Sequence, residues 1–394
     1  MSKAACEIRR SFDEGIADVL LADQDVEFRS VVRAVVASKI APAASETDRT
    51  GVFAKEAYLS LVDAGLGGLI FPKRLGGSGS TTLSYAIAVE EIAAACGATS
   101  LIFATQMHAA YPILLAGTEE QMLKYVPGLC GGSLFGSLAI TEPDAGSDVS
   151  SLRTTARRDG DEYVISGSKT FITTGDRADV IVCFASIDRS SGRDGITAFL
   201  VDGGSRGLSR GPAFEKMGMH GSSTSELFFN GVRVPASALL GSEGSGWSLL
   251  LKSVVKSRVS AAAQGVGLAS GAFAHLLAVL RERGSAGQDI DFELADLRTS
   301  LLEGRLLLYA GAIAADRPGG LSAAEIAMVK LACTNLGATI AYAAVRLLGW
   351  QGDLAECGVE RFLRDARVTQ IYDGTNEVQR LLIARDSSRR AEGP

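Results

Sequence analysis

Two stretches far apart in the chain hold side chains that could do chemistry. In Ala139-Ile-Thr-Glu-Pro-Asp-Ala-Gly-Ser-Asp148, the hydroxyls of Thr141 and Ser147 flank Gly146. A residue without a Cβ lets backbone N–H groups come close to an anion such as a pyrophosphate. Far downstream, Ile371-Tyr-Asp-Gly-Thr-Asn-Glu-Val-Gln-Arg380 sets the carboxylate of Asp373 between Tyr372 and Gly374. A positioned carboxylate can take a proton from carbon. Asp before Gly is also a common turn pair, and on these residues alone both readings of Asp373 stand.

Other patterns imitate functional motifs. Gly265-Val-Gly-Leu-Ala-Ser-Gly271 has the spacing of a dinucleotide fingerprint, but it lies in a helical pattern rather than after a strand, so close helix packing by small residues accounts for it better. Ser253-Val-Val-Lys256 has the S-x-x-K spacing without the companion motifs of a serine acyl enzyme. His108, His220 and His275 are scattered and form no metal-binding pattern, so they are expected to be structural or surface residues, and no metal is expected.

The elements that must position these residues follow from patterning. From Asp23 to about Leu134 apolar residues recur at helical spacing, as in Val32, Val35, Val36 and Ile40, punctuated by Pro42, Pro72 and Pro112. Between about Ser137 and Gly244 the pattern turns to short strands. Asp159-Gly160 and Asn230-Gly231 read as hairpin turns there, and Val180 to Ala185 and Ile196 to Val201 as apolar strands. After Trp247 helical spacing resumes, as in Leu294, Leu297, Leu301 and Leu308. The implied division is an N-terminal extension 1–22, a helical domain 23–136, a β domain 137–244 and a helical domain 245–394.

Composition bounds the function. A chain of 394 residues that is 47% hydrophobic can bury a large core and form more than one domain. The net charge of −6 and the absence of a dense Lys/Arg run argue against nucleic acid or anionic lipid as partner. The first twenty residues lack the apolar core of a signal peptide, and no window reads as long and apolar enough to span a bilayer. Six cysteines without a CxxC pair read as reduced, buried thiols in a cytoplasmic protein.

From about Asp23 to Asp386 the chain resembles the acyl-CoA dehydrogenase family. The resemblance rests on the two opening stretches together with Phe71-Pro-Lys-Arg-Leu-Gly-Gly-Ser-Gly79, Gly117-Thr-Glu-Glu-Gln121, Lys216-Met-Gly-Met-His-Gly-Ser-Ser-Thr224, Val234-Pro235 and Val359-Glu-Arg-Phe-Leu-Arg-Asp-Ala-Arg367, in that order. It implies an α+β multidomain fold with a helical N-terminal domain, a middle β-barrel or sandwich domain and a C-terminal four-helix-bundle domain. It also implies an FAD-dependent α,β-dehydrogenation of an acyl-CoA thioester, with an electron-transfer flavoprotein as external acceptor and a homotetramer or homodimer as the working state. Ile140 and Thr141 would meet the pyrimidine side of the isoalloxazine. Gly146 and Ser147 would meet the pyrophosphate, and Phe171, Ile172 and Thr173 the ring face and N5. Across a subunit boundary Arg281, Arg346, Leu348, Gly349 and Gly352 would reach the cofactor, completed by Thr375, Asn376 and Glu377. Ser147, Arg258, Tyr372 and Gly374 would contact substrate, and Asp373 would take the α-proton.

The sequence departs from that family's pattern at several of these places. Asp373 stands where a Glu is usual, Phe171 for Trp, Arg346 for Gln and Trp350 for Gly. The element after Arg281 reads Arg281-Glu-Arg-Gly-Ser-Ala-Gly. Asp is shorter than Glu by one C–C bond, about 1.5 Å, and a misplacement of about 1 Å can cost on the order of a hundredfold in rate. A second family position for the base, just before an Arg on the long helix, is Ser257, which is no base unaided. Three alternatives therefore stand beside the first: a dehydrogenase of acyl groups on a carrier protein, a flavin monooxygenase, which the retained Asp373 argues against, and a catalytically weakened flavoprotein acting as a binding partner.

Overall fold

The computed structural model describes residues 15–284 and 287–391. Cys6, most of the N-terminal extension and Ser285 and Ala286 of the Arg281 element lie outside the described residues. Six α-helices come first: α1 (Asp23–Val35), α2 (Ala44–Thr50), α3 (Lys55–Asp63), α4 (Thr82–Ala95), α5 (Gly97–Ala116) and α6 (Glu119–Cys130). Every residue of α4 is buried, which needs partners for its two carboxylates. Glu90 accepts from Arg305 Nε at 2.8 Å and the Tyr309 hydroxyl at 2.9 Å, and Glu91 pairs with Arg33 at 3.1 Å. Pro112 does not break the helical pattern as the sequence suggests. It sits inside α5, whose flanking Ala109, Ala110 and Ile113 are buried, so tertiary packing offsets the missing N–H.

Strands β1 (Gly136–Ala139), β2 (Thr155–Asp159), β3 (Glu162–Thr173), β4 (Val180–Ser186), β5 (Ile196–Asp202), β6 (Leu208–Arg210), β7 (Thr224–Pro235) and β8 (Leu239–Leu240) form one sheet in the order β6-β7-β3-β2-β4-β5-β8, with β1 parallel to β4. Side chains alternate along a strand. On β4 this sends Val180, Val182 and Phe184 to the core shared with the helices, and Ile181, Cys183 and Ala185 to a separate core inside the β layer. Asp159-Gly160 makes the expected β2–β3 hairpin, with Gly160 at φ 63°. Asn230-Gly231 does not make a hairpin. β7 runs through it, and the register against β3 slips one residue there, with Gly231 at φ 63°. A residue pair that tolerates positive φ serves a bulge as well as a turn, and β3 is long enough to pair on both sides.

The C-terminal part holds α7 (Gly246–Arg283), α8 (Gln288–Ala315), α9 (Ala323–Leu348), a short α10 (Glu360–Thr369) and α11 (Asn376–Ala391). Helices α7 and α9 contain windows long and apolar enough to cross a membrane, contrary to the reading of the sequence; the α7 window is 89% buried inside the fold, and it serves as a core helix. The glycine-rich stretch of α7 shows why. A Cβ on Gly265 would stand 2.4 Å from the Cys333 carbonyl oxygen of α9, and on Gly267 or Gly271 2.3 or 2.4 Å from the Glu90 or Ala94 carbonyl oxygen of α4. Backbones touch there, as the small residues predict. Cys96, Cys130, Cys183 and Cys333 are buried. In Ser253-Val-Val-Lys256 the serine bonds Leu249 O and the lysine pairs with Asp316, so the two do not act together. Gly267→Ala should cost about 1–3 kcal/mol through overpacking. Urea unfolding of the variant against the parent measures it, and an unchanged midpoint would mean that α4 and α7 do not approach this closely.

Candidate active site

The strand β1 leads into Ile140 and Thr141, and a buried ion pair that sequence reasoning missed holds this segment in place. Lys169 Nζ on β3 donates to Ile140 O at 2.9 Å and to Glu142 Oε1 at 2.8 Å, and both side chains are almost wholly shielded from solvent. Glu142 also accepts the N–H groups of Arg153 and Thr154, while Thr170 N donates to Thr141 O at 2.9 Å. Burial alone would raise the Glu142 pKa; the Lys169 charge and these hydrogen bonds outweigh it and hold the carboxyl below its usual range. No local pattern marks Lys169, because its partner lies in the loop after β1, 27 residues away.

Beyond this anchor the chain opens. Gly146 and Ser147 are exposed, a Cβ on Gly146 would meet nothing within 4 Å, and neither residue's N–H has an acceptor among the described residues. Thr141, Ser147 and Thr173 carry hydroxyls without a partner among the described residues. The end of β3 is distorted, with a register shift between Lys169 and Ile172 and positive φ at Phe171 (56°) and Thr174 (62°). That distortion turns Phe171 outward, 67% exposed and 5.4 Å from the Phe214 ring, while Ile172 stays in the β core. The Ile172 side chain is thus core rather than a ring contact. Free N–H groups beside an open glycine suit a pyrophosphate, and an exposed aromatic beside free hydroxyls suits a flavin ring, so these residues fit FAD.

The second stretch forms a strained bend. Asp373 has φ 55° and Gly374 φ 88°. Its carbonyl groups are clamped: Arg258 Nε on α7 reaches Asp373 O at 3.4 Å, and Gln379 Nε2 and Lys330 Nζ donate to Gly374 O at 2.8 and 3.0 Å. Lys330 also donates to Asn376 Oδ1. Burial pushes the Lys330 ammonium down to about 8 against the opposing pull of the Asp373 charge. Inside this clamp, Asp373 Oδ2 is buried without a partner and the Asp373 N–H without an acceptor among the described residues. The Tyr372 hydroxyl donates to Gln264 on α7. Asn376 is committed to a buried network with Lys330, Thr334 and Asn335, Thr375 caps α11 through Val378 N, and Glu377 is exposed.

Two further motifs meet between the β domain and the bundle. Met219 N donates to the buried Asp365 carboxylate of α10, and a Cβ on Gly218 would stand 2.4 Å from the Arg364 carbonyl. The motif Gly117-Thr-Glu-Glu-Gln121 is a capping box at α6, and Gln121 Nε2 reaches across to Ser237 O and Leu239 O of the β domain.

Comparison with known proteins decides the family. Residues 22–133 match the acyl-CoA dehydrogenase N-terminal domain, 137–232 the middle domain and 244–387 the C-terminal domain. The chain belongs to the acyl-CoA dehydrogenase family. An acyl-CoA dehydrogenase of Bacillus subtilis is 38% identical over 370 residues, 92% of this chain and 97% of that one. The structure of butyryl-CoA dehydrogenase from Megasphaera elsdenii superposes with a TM-score of 0.90 at 35% identity, over 94% of this chain and 99% of that one. A glutaryl-CoA dehydrogenase from Mycobacterium smegmatis in complex with FADH2 gives 0.90 at 28% identity, over 98% and 99%. This dehydrogenase is therefore an FAD-dependent oxidoreductase that acts on the CH–CH bond of an acyl-CoA thioester.

Its remaining expected cofactor residues lie elsewhere. Arg281 sits twenty-three residues beyond Arg258 on α7, roughly 35 Å along the axis. Arg346 pairs with Glu293, Leu348 is buried in the bundle, Gly349 is open at φ 60°, and Trp350 is 73% exposed. Gly352 is wedged against the Val345 carbonyl. Along α7, Arg281 is thus remote from the Asp373 bend that Arg258 clamps. Lys169→Met should leave Glu142 buried and unpaired, lowering stability by about 3–5 kcal/mol and loosening FAD. Because the Glu142 pKa is depressed on folding, the pair's contribution is present above the ordinary value of 4.5 and fades as pH falls through the folded value. Thermal melts at pH 7 and in acid check both; equal parent and variant stability at pH 7 would remove the anchor from the account.

Proposed function

We propose that Asp373 is the base that takes the α-proton of the thioester. What supports this is the buried carboxylate oxygen left without a partner inside a bend whose carbonyls are all clamped. An unpaired buried acceptor is costly unless a ligand supplies the proton. The Asp373 N–H, also without an acceptor, is the donor for the thioester oxygen as negative charge develops on it. FAD, when bound, would supply the acceptor for the β-hydride. Arg258 and Lys330 hold the bend and lend positive charge, and Ser257, whose hydroxyl donates to Val254 O, takes no part in proton transfer. Thr141, Ser147, Thr173 and the N–H groups of Gly146 and Ser147 hold the flavin and its pyrophosphate. An electron-transfer flavoprotein takes the electrons.

Asp373→Asn should retain FAD and lose substrate-driven flavin bleaching by several orders of magnitude, since the amide keeps the shape but accepts no proton. Anaerobic stopped-flow mixing measures it; bleaching at the parent rate would place the base elsewhere. In a site reshaped around the shorter acid Asp373→Glu slows the reaction, and in one merely weakened by it Glu speeds the reaction.

The protein works as a dimer or a pair of dimers, in which Arg281, Arg346 and Gly349 of one subunit reach the flavin held by Thr141 and Ser147 of its neighbour. The separation along α7 and the exposed Phe292, Leu307, Met328, Tyr342 and Trp350 on and beyond α8 and α9 support this. Stripping FAD should lower the association constant at least tenfold, because a ligand bound only by the assembly stabilises it by mass action. Light scattering with and without FAD tests it, and a monomer that holds FAD tightly would contradict it.

A further inference from the structure

The walls beside Asp373 are more polar than a hydrocarbon tail requires. His108 on α5 meets Ser260 on α7 through Nε2 and Oγ at 2.9 Å. Ser260 gives its single hydroxyl hydrogen to Ser257 O at 2.7 Å, so toward the imidazole it can only accept. The ring proton therefore sits on Nε2, which leaves Nδ1 as a lone-pair acceptor, and Nδ1 has no partner among the described residues. Burial holds the imidazole below its ordinary pKa against the upward pull of the Asp373 charge, which keeps it neutral. One turn along α7, Gln264 Oε1 takes the Tyr372 hydroxyl while its Nε2 is buried with no partner. The Tyr85 hydroxyl of α4 is buried beside Ser260, near enough to feel the Asp373 charge, and makes no well-formed hydrogen bond among the described residues. Tyr85 and Gln264 are 2% and 1% exposed.

Native folds leave few buried polar atoms unpaired, and those that remain point to a missing partner. Here two buried donors, Tyr85 OH and Gln264 Nε2, and a half-buried acceptor, His108 Nδ1, gather along the stretch of α7 that packs on Tyr372 and clamps the Asp373 bend. A saturated alkyl chain would bury all three without a bond. A group that both gives and takes hydrogen bonds would satisfy them.

We propose that the acyl group this site accepts carries a hydrogen-bond-donating substituent, a hydroxyl or an amine, held by His108 Nδ1 with Tyr85 and Gln264, in place of a plain hydrocarbon chain. This rests on the reading of Asp373 as base. The chemical step is unchanged: the α-proton goes to Asp373, the β-hydride goes to bound FAD, and the electron pair of the α C–H bond becomes the new C=C bond.

The test uses matched acyl-CoA thioesters, 4-hydroxybutyryl against pentanoyl and prolyl against cyclopentanecarbonyl, each pair alike in heavy-atom count. Dissociation constants are read on the FAD-loaded protein after chemical reduction, so that no turnover intervenes, and flavin bleaching is read separately on the oxidised protein. In at least one pair the polar member should bind roughly tenfold tighter or more, because a site built to hydrogen-bond a substrate group rejects the analogue that lacks it. His108→Leu should erase or reverse that preference, and Tyr85→Phe, which removes a single hydroxyl, should reduce it, both at parental FAD content. Equal or tighter binding of the apolar member in both pairs overturns the proposal, as does a preference untouched by both variants. Bleaching by pentanoyl-CoA with no polar preference leaves the dehydrogenase reading intact and removes only the polar pocket. Tight polar binding without bleaching by any thioester counts against Asp373 as base and supports the pocket.

Discussion

Helix α7 lies in the middle of the molecule with its backbone against the backbones of α4 and α9, and the remaining architecture depends on that contact. Gly265, Gly267 and Gly271 leave no Cβ to keep the neighbours apart, so a 38-residue helix can be buried on two sides at once. Its length then does two jobs. Its middle turns bring Arg258, Ser260 and Gln264 to the Asp373 bend and to His108. The last turn carries Arg281 roughly 35 Å away. A looser helix contact would shift these groups together, since packed interiors transmit displacement rather than absorb it.

Strain and unpaired polarity are concentrated around the site. Phe171, Thr174, Met219 and Asp373 are the non-glycine residues at positive φ among those described, each costing of the order of 1–3 kcal/mol. The surroundings impose each conformation. Thr174 N is held by Ser223 O, Met219 N by Asp365, and the Asp373 bend by Lys330 and Gln379. The clamps act on backbone groups and leave the side chains free. Asp373 therefore presents a buried carboxylate oxygen that has no hydrogen-bond partner among the described residues.

The buried Lys169–Glu142 pair works on the same principle in the β domain. An apolar pair of the same size would pack without desolvating two charges, but it could not accept the N–H groups of Arg153 and Thr154 or donate to Ile140 O. The pair aligns the segment before Gly146 with the distorted end of β3, and those two pieces of chain form the cradle that fits FAD.

Much of this was legible in the sequence. Helical spacing marked the first and last parts, alternation and Asp159-Gly160 marked the β domain, and the small residues of α7 foretold close packing, because each of these signals is local. Asn230-Gly231 and Pro112 misled because a tolerance for positive φ or a missing N–H is compatible with more than one environment. The apolar stretches of α7 and α9 escaped notice as long hydrophobic windows because alanine and glycine dilute them, and burial inside the fold is what gives them their role. The sequence by itself determined the family and the order of its domains, and it singled out the hydroxyls of Thr141 and Ser147 and the acid at 373, since each is carried by residue types in short, ordered motifs. Only the tertiary structure decided that Lys169 meets Glu142, that Lys330 clamps Gly374, that Met219 seats on Asp365 and that His108 meets Ser260. Those partners lie on different elements, and a charge or an imidazole acquires its role only when folding removes water and supplies the group opposite it.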